Sequence, residues 1–260
     1  MITSLQNSKV KQLVRLRERR ERDLTQTFLI EGYRELLRAI DQGVEIITLF
    51  YCPEFFLGVN ENSLIARVKG EKFICTPDVF KKVSYRDRPD GLLAIAKESH
   101  LKLKDLKLSP SPFLVACEAI EKPGNLGTIL RSSDSVKVDG LIVCDQCTDI
   151  FNPNTVRASV GTLFTVPVAE ATSQETIDWL KANNIKILAA TPSGESNYFD
   201  VDLTQGICIA VGTEQLGLSK LWMEQADLRV NIPMKGVADS LNVAMATTIL
   251  LHEVLRQRGS

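Results

Sequence analysis

The sequence predicts an α/β protein in two parts: a small N-terminal α/β domain over residues 1–100, a linker over 101–112, and a larger C-terminal α/β domain over 113–260 built on a mostly parallel sheet. Three observations predict it. The second half alternates β-branched apolar runs with helix-period segments, the pattern of strands buried on both faces. The stretch from Leu101 to Pro112 breaks that alternation with charged residues and a doubled Ser-Pro that favours extended backbone. At 260 residues, 44% apolar and 24% charged, the chain can also bury a substantial core.

Each element follows from local pattern. Asn7-Ser8 can cap a helix carrying Val10, Leu13, Val14 and Leu16. Phe28-Leu29-Ile30 reads as a short strand, followed by a helix over Tyr33, Leu36, Leu37 and Ile40 that Gly43 ends. Strands are expected at residues 46–51, 73–75 and 92–96, with helices near 63–68 and 78–83. Past the linker, apolar runs predict strands at 113–117, 141–144, 164–168, 185–190 and 207–211, separated by helices at 126–136, 155–162, 176–183 and 240–258. Such a sheet takes a nucleotide-sized ligand at the carboxyl ends of its strands.

Composition narrows the function. No continuous apolar run reaches the length of a membrane helix, and Met1-Ile2-Thr3-Ser4 lacks a signal-peptide core, so a cytoplasmic protein with no membrane partner is expected. The cysteines sit among apolar segments and read as buried hydrophobes of a reducing compartment. Cys144-Asp-Gln-Cys147, with only His100 and His252 elsewhere, cannot assemble an obvious four-ligand zinc site, so no metal is expected. Net charge is −1, which carries no polyanion signature. Locally, Lys9, Lys11, Arg15, Arg17, Arg19, Arg20 and Arg22 are opposed only by Glu18 and Glu21. That segment is either a solvated helix with i,i+4 pairs or a phosphate-contacting surface that Arg34 and Arg38 extend.

Three segments can carry chemistry. In Asn125-Leu-Gly-Thr-Ile-Leu-Arg131, Pro123-Gly124 turns the chain, Asn125 caps a helix, and Arg131 shares a polar side with Gly127 one turn earlier. A glycine there costs about 1 kcal/mol against alanine yet leaves backbone open to another molecule under the guanidinium. Pairing of Arg131 with Asp134 is the plainer alternative. In Gly212-Thr-Glu214-Gln-Leu-Gly217-Leu-Ser219, a buried strand opens into a loop with two glycines around a carboxylate, able to set main-chain groups against a flat heterocycle. In Ile232-Pro-Met through Ser240-Leu-Asn242, a stiff turn and glycine loop lead into a small-residue helix that Ser240 can cap, with Asn242 in its first turn.

Together these segments resemble the SpoU/TrmH-type RNA ribose 2′-O-methyltransferases of the SPOUT superfamily, matching its three motifs in order. Asn152-Pro-Asn-Thr-Val-Arg157-Ala-Ser159-Val-Gly161 also looks like the family, and Phe28-Leu-Ile-Glu-Gly32 is similar to its N-terminal RNA-substrate domain. The resemblance implies a trefoil-knotted C-terminal domain, an exception to the general absence of knots. It implies a homodimer through that domain and S-adenosyl-L-methionine as cofactor. By position, Thr191, Gly212, Ile232, Leu241 and Asn242 would contact the cofactor. Arg131 would sit at the reacting ribose, supported by Asn125, Glu214, Ser240 and Asn242. Lys9, Lys11, Arg15, Arg19, Arg34 and Arg157 are then the candidate RNA contacts. Thr213, Gln215 and Val237-Ala238-Asp239 depart from residues frequent in relatives, which bears on substrate discrimination.

The implied reaction is attack of a ribose 2′-oxygen on the cofactor methyl, in which alignment and water exclusion supply much of the rate. An arginine is seldom neutral at pH 7, which favours Arg131 as a clamp on phosphate and developing charge over a role as base. Ribosomal RNA is the first expectation for the substrate, because the appended N-terminal domain is commoner in relatives acting on large structured RNA. Transfer RNA is the alternative, and an RNA-binding protein that has lost catalysis is the alternative from another class. A nicotinamide oxidoreductase lacks its G-x-G-x-x-G after an early strand.

Overall fold

The computed structural model describes residues 1–259. Along the chain the elements are α1 (Ser8–Arg15), α2 (Arg19–Thr25), β1 (Thr27–Glu31), α3 (Tyr33–Asp41), β2 (Ile46–Tyr51), α4 (Glu61–Arg67), β3 (Glu71–Ile74), α5 (Pro77–Val83) and β4 (Leu92–Lys97). They continue as β5 (Phe113–Glu118), α6 (Pro123–Ser135), β6 (Gly140–Cys144), α7 (Pro153–Ser159), β7 (Val168–Ala171), α8 (Ser173–Ala182) and β8 (Lys186–Ala190). The last are β9 (Ser196–Asn197), β10 (Ile207–Val211), α9 (Lys220–Gln225), β11 (Leu228–Asn231) and α10 (Val243–Gln257). They form two compact units: Met1–Ser99 with Asp149–Thr165, and His100–Thr148 with Val166 onward.

The first unit is a four-stranded sheet in the order β1-β4-β2-β3, antiparallel except for the parallel β2–β3 pair. Side chains alternate between the faces of a strand. On β1, Leu29 joins a buried cluster with Leu13, Leu16, Phe50, Phe80 and Leu93. Phe28 instead meets Phe151 and Phe164, with ring centroids 4.5 and 6.0 Å away. Residues 149–165 therefore belong with the N-terminal unit, a departure from a second domain running unbroken over 113–260: Phe28 needs an apolar cover, and this segment supplies it. Arg22, 1% exposed, fastens the same segment. Its guanidinium donates to Asp149 at 2.6 and 2.8 Å and to the carbonyls of Leu16 and Arg17.

The second unit is a seven-stranded sheet in the order β7-β6-β5-β10-β8-β11-β9, with every pair parallel. Strands β5, β6 and β10 are buried throughout, as their apolar runs require. The stretch expected as a linker is part of this unit. Leu101 bridges to Ala169, Leu103–Asp105 forms a 3-10 turn, and Leu106 enters the core. Its alternating leucines are thus anchors. The strand expected at 164–168 is instead a 3-10 turn at Thr162–Phe164, and the ladder starts at Val168, because Pro167 has no N–H to contribute.

Cys117, Cys144 and Cys208 are buried within strands β5, β6 and β10 of this sheet, and burial pushes the Cys144 thiol up to about 12. Among the described residues no group of three or more His, Cys, Asp and Glu is placed to hold a metal, and no helix is long and apolar enough to cross a membrane.

Candidate functional site

Three loops leave the carboxyl ends of β8, β10 and β11 and enclose a cavity of about 410 Å³. That is within the usual range of small-molecule sites. The first loop, Thr191-Pro192-Ser193, is pinned to β11: Thr191 N donates to the Val230 carbonyl at 3.0 Å, and Asn231 Nδ2 to the Gly194 carbonyl at 2.9 Å.

The second loop is a tight hairpin. Thr213 N donates to the Gly217 carbonyl at 3.1 Å and Gly217 N to the Thr213 carbonyl at 3.0 Å, with Gly217 at φ +67°. A Cβ on Gly212 would lie 2.2 Å from the Gly217 carbonyl oxygen, so only glycine lets the two sides close. The loop's exit is held from below by Glu118, a buried carboxylate at the end of β5 that accepts from Ser219 N at 2.7 Å. Glu118 also receives the Ser173 hydroxyl, which in turn accepts from Trp222 Nε1 at 2.8 Å.

The third loop runs from Ile232 to Leu241 and ends in α10. Asn242 itself is the cap of that helix, accepting from Ala244 N at 2.9 Å, so the helix starts after Asn242 and Ser240 lies outside it. Similarly α6 starts at Pro123, and Asn125 sits in its first turn without capping it. Both asparagine amides are thereby free for a longer chain of contacts. Asn242 Nδ2 donates to Asn125 Oδ1 at 3.2 Å, Asn125 Nδ2 donates to Glu214, and Lys122 Nζ pairs with Glu214. One polar chain thus ties together all three segments singled out in the sequence.

Of the expected cofactor residues, Thr191, Gly212, Ile232 and Leu241 line the cavity, as do Glu214 and Ser240, while Asn242 and Asn125 do not. The walls are apolar at Leu218, Val230, Ile232 and Val243 and polar at Thr191, Asp239 and Ser240. A flat heterocycle with polar edges suits that lining. Arg131 is outside it, exposed on α6 and without an ion pair among the described residues. Gly127, expected to leave backbone open beside Arg131, is buried. Glu118 and Lys122 were not singled out in the sequence; the available sign was a charge closing an apolar strand at Glu118.

The basic candidates differ among themselves. Lys9 pairs with Glu71 at 2.9 Å and lies over the Phe73 ring, and Arg15 approaches Glu21 at 3.6 Å. Arg19 approaches Asp23 at 3.6 Å, the i,i+4 pairing that a solvated helix gives. Lys11, Arg34 and Arg157 are exposed.

Comparison with known proteins gives concordant matches. The model described as the SpoU rRNA Methylase family matches residues 112–252, and that of the MRM3-like substrate binding domain matches residues 7–94. A 23S rRNA (uridine(2479)-2′-O)-methyltransferase of Streptomyces viridochromogenes is 32% identical over 94% of this chain and 88% of its own. The 23S rRNA (guanosine(2553)-2′-O)-methyltransferase RlmP of Bacillus subtilis is 28% identical over 97% of this chain and 98% of its own. The AdoMet-bound rRNA methyltransferase from Sinorhizobium meliloti superposes with a TM-score of 0.90 at 32% identity, covering 100% of this chain and 98% of that one. The SpoU methyltransferase AviRb of Streptomyces viridochromogenes, in complex with AdoMet, gives 0.89 at 31% identity, covering 97% and 98%.

Proposed function

Because the chain belongs to the SpoU rRNA methylase family, we propose that the cavity at the ends of β8, β10 and β11 holds S-adenosylmethionine for methylation of a ribosomal RNA ribose. The protein is an S-adenosylmethionine-dependent RNA ribose 2′-O-methyltransferase with the SPOUT fold. The observation that carries the site assignment is the polar chain Asn242–Asn125–Glu214, which joins the three motif segments and reaches the cavity at Glu214.

The cofactor, when bound, supplies a methyl group activated on a sulfonium. The chain's own residues do the rest. Gly212 lets backbone close on the ligand, Ile232 and Leu241 give it apolar walls that exclude water, and Thr191 offers a hydroxyl at the far loop. Glu214, held by Asn125 and Lys122, fixes the hairpin facing the ligand. Arg131 holds the phosphate beside the target ribose and balances charge developing on its 2′-oxygen, a task for which a planar, permanently charged guanidinium is suited. Ser240 and Asn242 position the start of α10 against the same center.

Arg131 lies outside the cavity lining of its own chain, which supports a homodimer in which the partner's copy completes the site. Leu216, Val237 and Met245 add support: they are 88%, 101% and 60% exposed apolar side chains on the motif loops and first turn of α10. Ribosomal RNA is the substrate we propose, by the names of the relatives that match along the whole chain, and the cytoplasm is the compartment that goes with it. Transfer of a labelled methyl to purified ribosomal RNA but not to transfer RNA is the expected result. Mixing Arg131→Ala with Gly212→Val, each inactive alone, is expected to restore transfer by pairing an intact cavity with an intact arginine. No recovery on mixing would exclude the shared site.

A further inference from the structure

The first unit carries a second cleft, of about 670 Å³, bordered by α3, α7 and the loop before α4. Most of its acids are already engaged. Glu61, 4% exposed, accepts from the backbone N–H groups of Leu57 and Gly58 at 3.1 and 2.7 Å and so shapes that loop. Glu35 is paired with Arg86 at 2.6 Å, and Arg86 also donates to the Glu31 carbonyl at 2.8 Å. Asp90 Oδ2 accepts from Tyr33 N at 2.8 Å and faces Arg86 at 3.7 Å.

Three features are left over. Arg34 and Arg157 are exposed on the cleft with no ion pair among the described residues, so the rim is cationic. Leu57 and Val59 stand 82% and 90% exposed on the adjoining loop, an uncovered apolar edge. Asp90 is 8% exposed, yet its Oδ1 has no hydrogen-bond partner. A buried acceptor left unsatisfied costs about 1–3 kcal/mol, which a ligand N–H or O–H would recover. The complementary ligand combines an anion, a flat apolar body and a hydrogen-bond donor. A nucleotide has all three.

We propose that this cleft receives one unpaired nucleotide of the RNA substrate. Arg34 and Arg157 take its phosphate, Leu57, Val59 and Tyr33 cover its base, and Asp90 Oδ1 accepts a hydrogen bond from it. The inference rests on the RNA-methyltransferase reading and gives the N-terminal unit a preference for single-stranded RNA. A base stacked in a duplex has neither its face nor its edge available to such a cleft, whereas an unstacked base has both.

The test measures binding of the full chain to a fluorescent single-stranded ribo-oligonucleotide and to its perfect duplex across a salt series. The wild type is expected to favour the single strand. Arg34→Ala and Arg157→Ala should each lower the slope of log K against log salt by about 0.7. Leu57→Ser with Val59→Ser changes no charge and touches only exposed side chains, yet should erase the preference for single strands. Asp90→Asn, which replaces the free acceptor by an amide, should weaken the single strand and leave the duplex unchanged. A wild-type circular dichroism spectrum and unfolding temperature in every variant check that the first unit is folded.

Equal binding of duplex and single strand by the wild type, or a preference that survives the Leu57/Val59 change, would overturn the proposal. So would free nucleoside monophosphates that bind as tightly as the oligonucleotide, since they would mark a small-molecule site. Methyl transfer to ribosomal RNA, assayed separately on the wild type, keeps the outcomes apart. If transfer occurs while the cleft variants bind normally, only the cleft assignment falls. If no transfer occurs, the methyltransferase reading itself falls.

Discussion

Asn242 Nδ2 donates to Asn125 Oδ1 at 3.2 Å, joining the start of the C-terminal helix α10 to the first turn of α6. The same Asn242 caps α10 through its other amide atom. Asn242→Asp separates the two roles, because aspartate caps as well as asparagine but cannot donate. Its unfolding temperature is expected to stay near that of the wild type. Methyl transfer should fall, because Asn125 Oδ1 loses its donor and meets a carboxylate oxygen instead. Equal losses of stability and turnover would show that the cap alone matters.

Gly212→Ala puts a carbon where the Gly217 carbonyl stands, 2.2 Å from the ideal Cβ position. The hairpin must open to admit it. Calorimetry should then record loss of S-adenosylmethionine binding, while circular dichroism shows the sheet retained. Gly236→Ala, in the third loop where no atom lies within 4 Å of such a carbon, serves as the control with binding preserved.

Glu118→Ala removes the acceptor for Ser219 N below the second loop and leaves that amide unpaired. A loss of about 1–3 kcal/mol in chemical denaturation is expected, together with weaker cofactor binding because the hairpin's exit is released. Trp222→Phe keeps a ring in the core and removes only the donor to the Ser173 hydroxyl, which still donates to Glu118, so its smaller loss by the same denaturation assay should leave cofactor binding intact.

Asp149→Ala leaves the Arg22 guanidinium buried without its carboxylate. Breaking one side of such a pair costs about 3–5 kcal/mol, so the first unit should unfold at visibly lower denaturant. Arg22→Met with Asp149→Leu removes both charges and should recover part of that loss, the remainder being the carbonyls of Leu16 and Arg17 and the Phe151 N–H that lose their partners. A double variant as unstable as the single one would mean that the ion pair is not what fastens residues 149–165.

Much of this fold was legible because burial on both faces writes a continuous apolar run, as at Ile207–Val211, and because β-branched and aromatic residues mark a strand such as Ile46–Tyr51; the pattern gave the bounds of both without error. What escaped was written in another code. α2 buries Arg22 and no apolar side chain, so no hydrophobic period marks it. β11 alternates Arg229 and Asn231 with Leu228 and Val230, and β9 at the sheet edge is two residues long. The return of residues 149–165 to the first unit depends on the far-off partners Phe28 and Arg22, which no local window contains. At the site, the motif residues were readable by type and spacing. The identity of the cap was not, because Ser240 and Asn242 are both good caps and only the path of the third loop decides between them.

Arg131→Lys keeps the charge and loses the planar fork. Turnover on ribosomal RNA should drop sharply with cofactor affinity unchanged, measured by single-turnover transfer and calorimetry. Near-normal turnover would contradict a bidentate role for Arg131.

Incubating the protein with S-adenosylmethionine and unmodified ribosomal RNA, then mapping 2′-O-methyl groups by resistance to alkaline cleavage, tests the transfer directly. One newly protected ribose is expected, absent with Gly212→Ala and with Arg131→Ala. A methyl group found on a base, or protection that persists when the cavity loop is altered, would contradict it.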